Sequence, residues 1–235
     1  MRSIFRFKQF EVDQGNCAMK INTDGVLLGG SVYDQAATSI LDVGTGTGVI
    51  ALMLAQRHPD AYIDAIDIDK EAYQQAQINF QQSNFSSRLQ AFLGSFEDMR
   101  PPSSYDLIVS NPPFYTNSLQ NPDERKRLAK HTDILFFEKL LSFVSSHLSP
   151  NGQFRCILPT TLAEEEIVPI LPQYGLYRQY EMAISSFIGE QPIRKVLGIG
   201  KSRVSLKTSS FSIYAEKGIY SAQYKELLQP YFLAF

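Results

Sequence analysis

The sequence predicts an α/β fold: a mostly parallel, doubly wound sheet with an antiparallel C-terminal hairpin, preceded by a small hairpin-and-helix extension. Three observations predict it. From residue 39 to residue 171 short apolar runs alternate with helical patterns, the order that builds a parallel sheet with right-handed crossovers. A glycine-rich loop, Gly44-Thr45-Gly46-Thr47-Gly48, joins the first of these runs to a helix pattern. After residue 180 the pattern changes: Tyr180 to Phe187, Lys195 to Ser202 and Ser209 to Tyr214 read as successive strands.

Taken in order, Ile4 to Val12 alternates apolar and polar residues and predicts one strand. Asp13-Gln14-Gly15-Asn16 is a turn, and Ala18 to Ile21 a return strand. Thr23 or Asp24 can cap a short helix through Val26, Leu27 and Leu28. Ser39 to Val43 is the first buried strand, and Val49 to Arg57 the helix that packs on it, ended by His58-Pro59-Asp60. A strand over 62–68, a helix over 70–82 and a strand over 89–93 follow. Pro101-Pro102-Ser103-Ser104 is a loop, and Tyr105 to Ser110 another buried strand. After a basic loop come an amphipathic helix from Leu135 to Leu148, a strand over 152–158 and a helix over 162–171 stopped by Pro172. Ser221 to Gln229 is the last helix. These elements make one domain over 1–235, with 1–38 as an N-terminal extension and 39–235 as the core.

Composition narrows the function. Hydrophobic residues at 44% and charged residues at 20% are ordinary for a globular chain with a full core. No apolar run approaches the roughly 20 residues of a membrane helix, so no membrane association is expected. The start carries no secretory pattern and Cys17 and Cys156 are too few for a disulfide framework, so a cytoplasmic location is expected. His58, His131 and His147 lack partners at ligand spacing, so no metal is expected. The net charge of −2 does not itself favour a polyanion. Charge is nevertheless clustered. Arg194, Lys195, Lys201, Arg203, Lys207 and Lys217 face only Glu190 and Glu216 in the tail, and Arg125-Lys126-Arg127 with Lys130 and His131 form a second group. Such runs are ordinarily solvated faces; two of them near one site make a nucleic-acid partner worth testing.

That site is assembled from strand ends. In a doubly wound sheet ligands bind beyond the carboxyl ends of the strands. Glycines at 44, 46 and 48 let a ligand approach the backbone. Asp67, at the end of its strand, can accept both hydroxyls of a ribose. The fourth strand runs into Asn111-Pro112-Pro113-Phe114, where the prolines force a stiff extended turn. The turn presents a carboxamide, a carbonyl and an aromatic ring, a match for a planar amine with two hydrogens. The glycine spacing is G-x-G-x-G, and Val49 stands where a dinucleotide fingerprint needs its third small residue. No Gly-Lys-Ser/Thr phosphate loop is present. Asp42 would repel a pyrophosphate and could pair with an ammonium. A ligand with a ribose, an adenine and an amino-acid ammonium is S-adenosylmethionine.

With Asp42 to Gly48, Asp67 and Asn111 to Phe114, the chain resembles the Rossmann-like class I methyltransferases that act on planar amino groups. Lys8-Gln9-Phe10, Cys17-Ala18-Met19-Lys20, Thr23 to Gly29, Ala51 to Arg57 and Tyr231-Phe232-Leu233 extend the resemblance over nearly the whole chain. They are similar to bacterial enzymes that methylate N6 of the adenine 3′ of the anticodon in a valine tRNA. The resemblance implies S-adenosylmethionine as cofactor and tRNA as partner. Asp42, Gly44, Thr45, Gly46 and Gly48 would hold the methionine part, Asp67 the ribose, and Ile68, Ser95 and Phe96 the adenine. Thr23 and Asp24 would border the cofactor. Asn111, Pro112, Pro113 and Phe114 would form the catalytic turn, with Asn111 also at the cofactor's edge. Ser95 stands where the family often carries an acid. The tRNA phosphates would be gripped by Arg125, Lys126, Lys130, Arg194, Lys195, Lys201 and Arg203, and a monomer is the expected state. Three alternatives remain at this level: the same fold acting on guanine N2 of ribosomal RNA or on a protein glutamine amide, a non-catalytic RNA-binding module, and, more distantly, a dehydrogenase.

Overall fold

The computed structural model describes residues 3–15, 17, 20–32, 36–101, 103–112 and 122–235, with side chains in the helix that opens at 122 described from residue 134. The expected strand over 4–12 is two strands, β1 (Ile4–Arg6) and β2 (Glu11–Asp13), paired antiparallel with Phe5 opposite Val12. The physical reason is the spacing of Phe7 and Phe10. Three residues apart, they would point to opposite faces of one strand, yet both are buried. A turn closed by Phe7 N–H donating to the Phe10 carbonyl at 2.9 Å stacks the rings at 4.4 Å and buries both on one side. Of the return strand expected at 18–21, Ala18 and Met19 lie outside the described residues, as does Asn16; Lys20 and Ile21 are not in a strand, and the Ile21 amide donates to the Gln14 side chain.

Helix α1 (Thr23–Ser31) is capped by Asn22 rather than Thr23 or Asp24. Asn22 has the extended backbone a cap requires, and its side-chain oxygen accepts from the Gly25 amide at 2.8 Å. Gly25 to Ser31 are all buried, because α1 lies between two other helices, α2 (Val49–Arg57) and α7 (Ala222–Leu228). A Cβ on Gly29 would come within 2.9 Å of Met53 Sδ, so this helix pair can approach only with glycine there.

Nine strands make the main sheet: β3 (Ser39–Val43), β4 (Tyr62–Asp67), β5 (Leu89–Leu93), β6 (Tyr105–Ser110), β7 (Leu148–Pro159), β8 (Tyr177–Phe187), β9 (Arg194–Gly200), β10 (Lys207–Glu216) and β11 (Ile219–Tyr220). Their spatial order is β11-β10-β8-β9-β7-β6-β3-β4-β5. Strands β3 to β7 pair in parallel, as the alternating pattern predicts. The C-terminal hairpin is β8–β9, and β9 inserts antiparallel between β7 and β8. Strand β10 then adds parallel to β8.

Helix α3 (Lys70–Gln82) is N-capped by Asp69. Helix α4 (Pro122–His147) starts well before the expected Leu135, so the basic stretch 125–130 belongs to a helix and not to a loop. Its polar first half carries no apolar period to announce it, although Pro122 suits a first helical position. The helix expected over 162–171 is a chain of short turns: α5 (Thr160–Leu162), a π turn (Ala163–Ile167), α6 (Val168–Ile170) and a 3₁₀ turn (Leu171–Tyr174). Pro169 and Pro172 lack the amides that a regular helix would use.

Successive residues of the central strands feed two cores. Ile40 and Leu107 face α1, α2 and α7, whereas Leu41 and Ile108 face α4 and the 160–174 turns. The carboxyl ends of β3, β4 and β6 lie along one edge of the sheet. Among the described residues no helix is long and apolar enough to cross a membrane.

Candidate active site

The loop after β3 takes its shape from its own backbone. Gly44, Gly46 and Gly48 have φ of 72°, 57° and 80°, where side chains are strained. The amides of Gly44 and Thr45 both donate to the Ile66 carbonyl at the end of β4, at 2.9 and 3.1 Å. The Gly46 amide donates to Asp67 Oδ2 at 2.8 Å, and the Asp69 amide to Asp67 Oδ1 at 2.9 Å. Asp67 is therefore oriented from both sides, and each oxygen retains further acceptor capacity. A Cβ on Gly44 or Gly46 would meet nothing within 4 Å, so open space lies before the loop. At Gly48 the same atom would strike the Phe80 ring at 2.5 Å.

Asp42 is fully buried beneath this loop. Its Oδ2 accepts from the Thr45 hydroxyl at 2.7 Å, whereas Oδ1 has no hydrogen-bond partner among the described residues. Burial pushes its carboxyl up to about 7, against the opposing pull of the Thr45 hydroxyl and of the Ala51 amide at the start of α2. A buried carboxylate oxygen without a donor suits a cationic group arriving from the open side. Next to Asp67, Ile68 is 78% exposed, and Leu93, at the end of β5, is half-exposed. Leu93 escaped sequence reasoning; the apolar residue ending a strand beside Asp67 was the available signal. Ser95 lies on the same edge and caps a 3₁₀ turn, Phe96–Asp98, through its hydroxyl. Open backbone, an oriented acid, an unpaired buried carboxylate oxygen and an uncovered apolar side chain together fit a ligand with a diol, a flat ring and an ammonium.

The acceptor side adjoins it directly. Ser110 pairs with Val43 across β6 and β3, and its hydroxyl donates to the Val43 carbonyl at 2.9 Å. Asn111 is thus one residue past the sheet edge, beside Gly44. Its amide nitrogen faces Asn22 Oδ1 at 3.5 Å. Pro112 is buried; Pro113 and Phe114 lie outside the described residues. Asn22 was missed because Asn22-Thr23-Asp24 offers three good caps in a row, and only backbone geometry selects among them. Thr23 is exposed and Asp24 half-buried at the same helix start.

Several expected contacts fall elsewhere. The Phe96 ring is buried edge-on against Phe136 and Phe143, so its side chain belongs to the core and is no adenine wall. Arg194 Nε donates to Asp24 Oδ2 at 3.0 Å, tying β9 to the start of α1 at the site edge. Lys195 is only 12% exposed and donates to Glu164 and Glu181 at 2.6 and 2.7 Å; those carboxylates also hold Arg178. Its charge is engaged by these two carboxylates within the fold. Lys201 and Arg203 follow the far end of β9, which is seven residues long, so about 20 Å separates them from Arg194. Because β9 runs antiparallel, they lie at the edge opposite the glycine loop, with Lys201 on the Leu148 carbonyl and Arg203 over the Tyr177 ring. The side chains of Arg125, Lys126 and Lys130 lie outside those described.

This edge, with a glycine loop and strand-end acid on one strand pair and Asn111-Pro112 leaving the neighbouring strand, is that of a methyltransferase. The methyltransferase small domain family matches residues 17–174. The chain belongs to that family and, within it, to the group of the tRNA1(Val) (adenine(37)-N6)-methyltransferases. It is 48% identical to the protein of that name from Pedobacter heparinus over the full length of both, and 39% identical to that of Bacteroides thetaiotaomicron over 97% of both. In fold it is similar to a predicted O-methyltransferase from Agrobacterium tumefaciens, with a TM-score of 0.65 at 19% identity, covering 88% of this chain and 96% of that one.

Proposed function

We propose that the protein transfers a methyl group from S-adenosylmethionine to N6 of an adenine in tRNA, the base 3′ of the anticodon in a valine tRNA. The observation that supports this reading is the adjacency of Asn111 and the glycine loop on paired strands, which would set an amine acceptor beside a cofactor cradle. The names of the relatives supply the base and the RNA. Cytoplasmic tRNA is the partner this reading requires.

When bound, S-adenosylmethionine supplies the methyl group and leaves as a neutral thioether. Asp67 would accept the ribose hydroxyls, Asp42 the ammonium, and Ile68 would cover the adenine. Thr23 and Asp24, at the start of α1, would close the side of the cradle. An adenine N6 is a poor nucleophile because its lone pair is shared with the ring. The Asn111 side-chain oxygen and the Pro112 carbonyl would accept its two hydrogens and favour a pyramidal nitrogen, a stabilisation concentrated in the transition state. Phe114, by its place in the Asn-Pro-Pro-Phe sequence, would stack on the base, worth about 1–3 kcal/mol. No strong base is required, because the proton released from the methylated nitrogen passes to water. The target lies in a single-stranded loop, where extrusion costs little.

The test is transfer from labelled S-adenosylmethionine to unmodified total tRNA, followed by nucleoside analysis. Label in N6-methyladenosine is the expected result. Label confined to another nucleoside, to ribosomal RNA or to a protein glutamine would overturn the assignment of the base.

A further inference from the structure

A carboxamide has two nearly isosteric ends. Packing does not tell its oxygen from its nitrogen, and the last torsion of asparagine is broad and two-fold. A site that needs the Asn111 oxygen aimed at an amine therefore needs something to forbid the flipped orientation. Among the described residues one group faces the Asn111 amide nitrogen: Asn22 Oδ1, at 3.5 Å. Asn22 is itself fixed, because the same oxygen caps α1 by accepting from the Gly25 amide at 2.8 Å. The cap cannot flip without losing that bond. The Asn111 amide cannot flip without setting two carbonyl oxygens against each other. The three groups meet at one point, where a Cβ on Gly25 would touch both Asn22 Oδ1 and Asn111 Nδ2. The start of α1 is also held by the Asp24–Arg194 ion pair at 3.0 Å, so the acceptor oxygen sits on an anchored turn.

We infer that Asn22 is a positioning residue: through the hydrogen bond it accepts from Asn111 it locks the catalytic carboxamide with its oxygen toward the methyl-accepting amine. The inference rests on the proposed amine methylation for its kinetic consequence, though not for its geometry. A separation of 3.5 Å is long for the resting protein; such bonds tighten when substrate is seated. The helix start thus does two jobs with one oxygen, capping α1 and setting the active-site amide.

Two substitutions separate these jobs. Serine caps helices as well as asparagine, but its hydroxyl is too short to reach Asn111, whereas aspartate keeps both the cap and the reaching acceptor. Asn22→Ser should lower kcat about tenfold, with cofactor affinity and Tm unchanged, and Asn22→Asp should recover kcat to within about threefold of the parent. In an Asn111→Ala background Asn22→Ser should add nothing, since the group it positions is gone. A readout free of activity is the side-chain amide resonance of Asn111, assigned by its loss in Asn111→Ala. It should move in Asn22→Ser and hold in Asn22→Asp. An unmoved resonance in Asn22→Ser, or equal losses in the serine and aspartate variants, would overturn the inference. Absence of tRNA methylation by the unaltered chain would overturn the functional reading alone, leaving the resonance to judge the positioning.

Discussion

The two flanks of the sheet handle charge in opposite ways. On the β3–β4 flank, Asp42 and Asp67 are held by backbone amides and a neighbouring hydroxyl, and each keeps unused acceptor capacity. On the β7–β9 flank, Arg178, Arg194 and Lys195 are consumed by Asp24, Glu164 and Glu181. On the proposed reading the first flank would reserve its charge for a ligand, whereas the second uses its charge to hold the fold. Net charge along a stretch of sequence does not distinguish these uses; the hydrogen-bond partners do.

Substitutions should separate the flanks. The largest effect is expected where the acceptor site meets the cradle: Asn111→Ala should cost about 10²–10³ in kcat, as for other oriented hydrogen-bond groups aimed at a transition state. Next, Gly48→Ala should lower stability by about 3 kcal/mol in urea unfolding, since φ of 80° and the clash with Phe80 act together. Gly46→Ala, with open space around it, should cost only about 1 kcal/mol. Lys195→Met should cost about 2 kcal/mol, because Glu181 and Glu164 lose a largely buried cation, and should leave the salt dependence of tRNA binding unchanged. A fall in that salt slope would return Lys195 to the RNA-binding set.

A further effect concerns pH. The Asp42 carboxyl titrates at about 7 in the fold, against its ordinary 3.8. Between these values the folded protein binds one proton more than the unfolded chain, so Asp42 makes the ligand-free protein less stable as pH rises through that window. Cofactor binding should show the opposite trend, because an ammonium prefers the ionised form. Affinity should fall up to about tenfold per unit as pH drops below 7, and Asp42→Asn should flatten that slope. Calorimetric titrations at several pH values would measure it.

The sequence made the glycine loop and the strand ends of the β3–β4 flank readable because local backbone geometry dictates them. Positive φ demands glycine, consecutive prolines demand an extended turn, and strand ends in a parallel sheet demand an edge. Long-range pairing left no such trace. Lys195 finds Glu164 and Glu181 at separations of 31 and 14 residues, which no local pattern encodes. The tail's basic run looked like one patch until the antiparallel direction of β9 sent its two halves to opposite edges. Phe7 and Phe10 read as alternation, yet their common burial required a turn. The start of α4 was silent because its first half has no apolar stripe.

The most direct test of the division between cradle and acceptor is calorimetric binding of S-adenosylmethionine to Asn111→Ala and Asp67→Ala, beside the parent protein. Asn111→Ala should bind within about threefold of the parent while failing to turn over, and Asp67→Ala should lose at least tenfold in affinity. Equal loss of cofactor binding in both variants would contradict the division and make Asn111 a cofactor ligand first.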